Sequence, residues 1–217
     1  QYEAGSIQGK RITAEACVHH LWFSNKDYTT LGNQIKCNPA VKYPSDRDAL
    51  LTALSTGQID IIATDHAPHT WEEKQVPYEQ APAGLPLVQH ALLSLFDHVH
   101  AGTLTVDQVV EKTAHNPATR YAIQERGYIR EGYFADLVLV DPQTPTLVSN
   151  ENSLYQCGWS PFAGHDFSAQ IKHTWVNGAK VYSNPESPEN QDTHTADTSK
   201  EISSDMVTPA MRLSFER

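Results

Sequence analysis

Asp65-His66-Ala67-Pro68-His69 places one carboxylate and two imidazoles within five residues. Such a group could hold a metal ion, move a proton or bind an anion; the same residues could also be a polar turn that caps a strand. The residues just before it, 58–64, form an Ile-rich apolar run bounded by Gly57 and Pro68, as expected of a strand buried on both faces. Strands of that kind belong to parallel sheets covered by helices. In an α/β barrel the residues just past the carboxyl ends of the strands build the active site.

The elements that would position these groups follow from the flanking sequence. Residues 10–18 read as a strand that ends in His19-His20 and the apolar Leu21-Trp22-Phe23. Residues 24–44 are polar and irregular in pattern. Ser45, with Asp48 three residues on, predicts a capped helix whose apolar face is Ala49, Leu50, Leu51, Ala53 and Leu54, closed by Gly57. The order strand, long loop, helix, strand is that of a parallel βα unit. A loop over 70–82 carries Trp71 and three glutamates. Gly84-Leu85-Pro86 predicts the start of a helix with Leu87, Val88, Ala91, Leu92, Leu95, Phe96 and Val99 at three-to-four spacing. Thr105 opens another helix to about His115, and Asn116-Pro117-Ala118 a shorter one.

From Gly127 the pattern becomes turn-rich and β. Residues 137–141 are a β run, and Asn177-Gly178 between 172–175 and 179–182 is a strong hairpin signal. Residues 184–205 are rich in Ser, Thr, Asp and Glu and predict a flexible linker; 206–217 regain apolar character. The 217 residues, 39% hydrophobic and 19% charged, are enough for a real core. A net charge of −10 argues against nucleic acid or an anionic membrane as partner. Cys17, Cys37 and Cys157 lack metal-type spacing and read as reduced thiols of a cytoplasmic protein. No apolar stretch is long enough to span a bilayer.

The stretch 62–69 resembles the D-H-A-P-H signature of dihydroorotases, metal-dependent cyclic amidohydrolases of pyrimidine biosynthesis. Thr13-Ala14-Glu15 with His19-His20-Leu21 is similar to the family's T-A-E-x-x-x-H-H-L strand, Lys36-Cys37-Asn38-Pro39 to its K-x-N-P segment, and Ala81-Pro82-Ala83-Gly84 to its A-P-x-G loop. Asn116-Pro117-Ala118, Gly132 with Ala135-Asp136-Leu137, and Ser160-Pro161-Phe162 match stretches shared across amidohydrolases. The resemblance runs from about Ile12 to Tyr182.

That resemblance implies the C-terminal part of a TIM-type (β/α)8 metal-dependent hydrolase barrel over 1–126, an α/β fold, with a segment of a small β domain over 127–183. It implies zinc, two ions per complete site, with Asp65 as a metal ligand that also shuttles a proton from the attacking water to the leaving nitrogen. Asn38, His69, Ala83 and Gly84 match the family's substrate contacts. A glycine opening a helix would offer free N–H groups to an anion. The remaining zinc ligands, an H-x-H pair and a carboxylated lysine or aspartate among them, come in the family from strands this chain does not contain. His66 is then expected to orient the Asp65 loop, and His19 and His20 to line the barrel mouth rather than bind zinc. Glu72, Glu73 and Glu79 read as a solvated loop face.

The expected activity is reversible hydrolysis of dihydroorotate to N-carbamoyl-aspartate, with this stretch inactive alone. The alternatives are another cyclic amidohydrolase (hydantoinase, dihydropyrimidinase or allantoinase) and a non-catalytic dihydroorotase-like subunit that partners aspartate transcarbamoylase. A homodimer is expected of the full protein.

Overall fold

The computed structural model describes residues 3–185. Strand β1 (Glu15–Cys17) pairs in parallel with β2 (Ile61–Ala63), in the register Glu15↔Ile61, Ala16↔Ile62 and Cys17↔Ala63. Between them lie α1 (Val18–Trp22), a 3-10 turn (Asn25–Asp27), α2 (Tyr28–Leu31), a second 3-10 turn (Gly32–Ile35) and α3 (Pro44–Ser55). The βα unit read from the sequence is therefore present, and both Ile61 and Ile62 are buried. Both strands are shorter than the apolar runs suggested. Val18 already turns into α1, which puts His19 and His20 on a helix rather than at a strand end.

The entry into β2 is fixed by a buried ion pair. Lys10 Nζ lies 2.6 Å from Asp60 Oδ1, with the side chains 8% and 2% exposed. Asp60 Oδ2 accepts from the Ala14 amide at 3.1 Å, and Asn116 Nδ2 donates to the Asp60 carbonyl at 2.8 Å. A carboxylate this deep is tolerated because a cation and an amide satisfy it.

Local chemistry moves three other predicted boundaries. Helix α3 starts at Pro44, and Asp46 rather than Asp48 caps it, accepting from the Tyr43 amide at 3.0 Å. The stretch 24–44 holds the short helical turns named above, one of them closed by Asp27 on the Ser24 amide at 2.6 Å. Within 70–82, Thr70 and Glu73 cap each other's ends to make α4 (Trp71–Lys74).

The largest shift is in the next helix. It does not begin at Gly84-Leu85-Pro86: α5 runs Ala91–His100. Leu85 instead bridges to His66, and the amides of Leu87 and Val88 donate to His66 Nδ1 at 2.9 and 3.2 Å. A tertiary partner takes the amides, and the apolar spacing continues through an extended segment. Thr105 and Gln108 cap α6 (Val106–Val110) reciprocally. A π turn (Glu111–His115) joins it to α7 (Asn116–Arg120).

The remaining strands are β3 (Leu137–Asp141), β4 (Thr146–Leu147), β5 (Asp166–Phe167), β6 (Gln170–Val176) and β7 (Ala179–Ser183). They make an antiparallel β3-β6-β7 sheet and a small β4-β5 pair. Asn177 and Gly178, both at positive φ, form the expected tight turn of the β6–β7 hairpin. The segment 146–169 packs back onto the βα unit: the Trp22 ring meets Phe162, His165 and Phe167 edge-on. Asp97 of α5 accepts from His165 Nε2 and the Ser168 amide, both at 2.8 Å. One core cluster thus joins Ala16, Leu21, Ile62, Leu87, Leu95 and Phe167. Asn184 still donates from its backbone to Lys172 at 2.8 Å. Residues 186–217, which carry most of the expected linker and all of the C-terminal segment, lie outside the described residues. No helix among the described residues is long and apolar enough to cross a membrane.

Candidate active site at the carboxyl ends of the parallel strands

Two residues past β2 the backbone turns sharply, with Asp65 at φ 49°. Asp tolerates this left-handed conformation better than most residues. Asp65 is exposed, and its carboxylate makes no hydrogen bond to any described residue. Its negative charge reaches two nearby thiols. Burial and then Asp65 push the Cys17 thiol up to about 11, and Cys37 is likewise raised, by burial above all with Asp65 contributing. Cys17 ends β1 and Cys37 precedes Asn38, so the carboxylate sits where the strand ends meet the 36–39 segment.

The loop at 81–85 closes against the same turn. His69 donates from Nε2 to the Ala83 carbonyl at 3.2 Å, and its Nδ1 lies 3.5 Å from Glu73. Gly84, at φ 142°, approaches so closely that a Cβ there would lie 2.4 Å from the Ala67 carbonyl oxygen and 3.1 Å from the His69 ring. Only glycine fits. The Ala67 amide donates to Leu85 at 3.1 Å, which continues the line of β2 into this loop. His66 performs the orienting task expected of it, as the acceptor for the Leu87 and Val88 amides.

One expectation fails here. Gly84 opens no helix, and its amide is spent on the Lys36 carbonyl at 2.8 Å, so it is not free for an anion. The neighbouring Ala83 amide makes no hydrogen bond to any described residue. Asn38 is exposed and makes no hydrogen bond to Asp65 or His69; the segment that carries it is tied to the loop through Lys36 and Gly84.

Several residues that hold the site together carry no sequence signal of their own. Trp159 donates its indole N–H to the His69 carbonyl at 2.8 Å. Lys74, 1% exposed, donates from Nζ to the carbonyls of Pro82 and Gly84, each at 2.9 Å. Asn33 donates to the carbonyls of Lys74 and Val76 at 2.9 and 2.6 Å. A lysine on a four-residue helix in a polar stretch reads as a surface charge, and only the return of the chain at 82–84 buries it.

Cys17, His19 and His20 present donor atoms that all lie within 4.8 Å of one another. His20 Nε2 donates to the Pro39 carbonyl at 2.9 Å. His19 is wholly buried rather than lining an open mouth, and its ring nitrogens make no well-formed hydrogen bond to a described residue, with the Thr64 backbone the near neighbour. Burial, then His20, hold its imidazole neutral down to about pH 3. These residues add possible metal donors beside Asp65 that the sequence pattern assigned to lining.

Two parallel strands thus bring a carboxylate and imidazoles to their carboxyl ends, the place where α/β barrels build their active sites. The amidohydrolase family model matches residues 2–181, and the chain belongs to that family. It is 41% identical over 153 residues to a dihydroorotase of Halobacterium salinarum, covering 70% of this chain and 36% of that protein. It is 37% identical over 175 residues to a dihydroorotase of Clostridium acetobutylicum (80% and 41% covered) and 32% identical over 177 residues to an allantoinase of Enterococcus faecalis (81% and 39%). Among solved structures, L-hydantoinase from Arthrobacter aurescens superposes with a TM-score of 0.75 at 25% identity, covering 81% of this chain and 40% of that one. The chain thus spans about two fifths of the length of the relatives it matches.

Proposed function

We propose that this chain supplies part of the active site of a dihydroorotase, which opens the cyclic amide of dihydroorotate to give N-carbamoyl-aspartate, in the cytoplasm and within pyrimidine biosynthesis. The observation that carries the reading is the convergence of the 36–39, 65–69 and 81–85 segments around Asp65, each of them a stretch that resembles the dihydroorotase pattern. Similarity to dihydroorotases at 37–41% identity supports it.

The donor chemistry fits a zinc site in part. Asp65 offers at the strand ends a carboxylate with no hydrogen bond to a described residue, and Cys17, His19 and His20 are further donors in this chain, short of the set a two-zinc site needs. Zinc, when bound, polarises the amide carbonyl and activates the attacking water. Asp65 takes the proton released as water adds to the carbonyl carbon. As the C–N bond breaks, it returns that proton to the departing nitrogen. Asn38 and His69, each able to donate and accept, match the amide and carboxylate edges of the substrate. The Ala83–Gly84 segment borders the same space.

The second reading, a hydantoinase or allantoinase, is favoured by the L-hydantoinase superposition and the allantoinase match. Assay of the full-length protein with dihydroorotate, hydantoin and allantoin decides between them. Turnover of dihydroorotate well above the other two is expected; preference for either rival overturns the reading, and no turnover of any favours a non-catalytic subunit partnering aspartate transcarbamoylase. The expected homodimer is checked by light scattering on the same preparation.

A further inference from the structure

We propose that Lys74 is a positioning residue for substrate: from beneath the 82–84 loop it fixes and polarises the Ala83 amide, which is the anion-facing donor of the site. The inference rests on the dihydroorotase reading and goes beyond it, because no motif of the chain points to Lys74.

Lys74 is a buried cation with no acidic partner among the described residues. The residue is 1% exposed, and its ammonium meets two carbonyl oxygens, those of Pro82 and Gly84, at 2.9 Å each. Burying an unpaired ammonium costs stability unless something compensates, and two neutral acceptors do so only in part. The Pro82 carbonyl and the Ala83 N–H belong to one peptide group, so a cation on the oxygen draws electron density from the nitrogen and strengthens that N–H as a donor. The Ala83 amide makes no hydrogen bond to any described residue, while its neighbour, the Gly84 amide, is held by the Lys36 carbonyl at 2.8 Å. The Ala83 carbonyl is held by His69 Nε2 at 3.2 Å. The loop therefore leaves one amide open, next to His69, with a positive charge behind it.

The environment keeps that charge conditional. Burial, with Lys36 adding repulsion and the Cys37 thiol opposing it, lowers the Lys74 pKa to about 8. Lys36 itself faces Tyr78, donating to its carbonyl and lying 4.7 Å from its ring centre. On α4 the other charged groups are Glu72 and Glu73, both exposed, with Glu73 turned to the Thr70 amide and His69. The charge behind Ala83 is thus present below about pH 8 and fades above it, while the neutral amine can still donate both hydrogen bonds.

Steady-state kinetics of the full-length protein on dihydroorotate read this directly. In the wild type, KM is expected to rise about tenfold between about pH 7 and about pH 9.5, with the bend near 8. Lys74→Met should raise KM about tenfold at neutral pH, change kcat by less than about twofold, and abolish the bend; Lys74→Arg should recover part of the KM. A flat wild-type KM profile overturns the role of charge. A Lys74→Met variant that loses kcat and thermal stability at unchanged KM has lost only structure, and overturns the proposal. If the wild type turns over no dihydroorotate, the functional reading fails separately. Amide exchange at 81–85 then still tests the positioning: it should rise about tenfold or more in Lys74→Met, and unchanged protection sinks it.

Discussion

Trp159 donates its indole N–H to the carbonyl of His69 across 90 residues of chain, at 2.8 Å. The ring is 2% exposed and its edge meets Trp71, 6.0 Å between centres. A residue distant in sequence therefore holds the turn that carries Asp65 and His69. Trp159→Phe keeps most of the packing and leaves that carbonyl without its donor, which should cost about 1–2 kcal/mol in a urea titration. KM for dihydroorotate should rise with it, because His69 loses its fixed backbone.

Gly84 offers a test of close approach against backbone conformation alone. A Cβ at Gly84 would sit 2.4 Å from a carbonyl oxygen and 2.8 Å from the Ala67 Cβ, whereas one at Gly132 (φ 84°) would meet nothing within 4 Å. Gly84→Ala is expected to destabilise by about 3 kcal/mol or more and Gly132→Ala by about 1 kcal/mol. Equal melting temperatures for the two variants would contradict this account of the loop.

Asp65 makes no hydrogen bond to a described residue, so its side chain contributes little to the fold. Asp65→Asn in the metal-free full-length protein should leave the melting temperature unchanged to within about 1 °C. It should lower kcat/KM by about 1000-fold and reduce bound zinc, as measured by atomic absorption. Activity near the wild-type level would remove Asp65 from the mechanism.

His90 gives the fold an acid limit. It is 2% exposed, with Ser160 Oγ at 3.0 Å and Tyr155 Oη at 3.4 Å from Nδ1, and burial lowers its pKa from 6.5 to about 4. The unfolded chain binds a proton there more readily than the native one, so this residue leaves stability intact above pH 6.5. Stability is lost as pH falls from 6.5 towards 4, by up to about 3 kcal/mol. His19, lowered to about 3, acts in the same direction and extends the loss to lower pH. Denaturation midpoints from about pH 7 to about pH 4 should fall less steeply in His90→Gln than in the wild type.

The parallel βα unit was legible because an Ile run and the element order suffice to specify it, and the Asn177-Gly178 hairpin because two positive-φ residues mark it directly. The start of α5 was not, because Leu87 and Val88 keep helical spacing while the His66 ring occupies their amides. The motif residues at 65–69 and 81–84 marked the place where the segments meet. What the sequence hid was the scaffolding between them, Lys74 and Trp159 above all, since each acts on a backbone carbonyl, and carbonyls look alike in every sequence. It also misjudged Gly84, whose amide faces Lys36 and not open space.

The left-handed backbone at Asp65 sets a conflict at that one position. Glycine there would relax the main chain, a gain of about 1 kcal/mol, and would discard the carboxyl group. With the proton-transfer role proposed for Asp65, selection for robustness and selection for turnover pull this codon in opposite directions. A stabilised variant recovered from a library screened for folding alone should therefore carry Asp65→Gly and be catalytically dead.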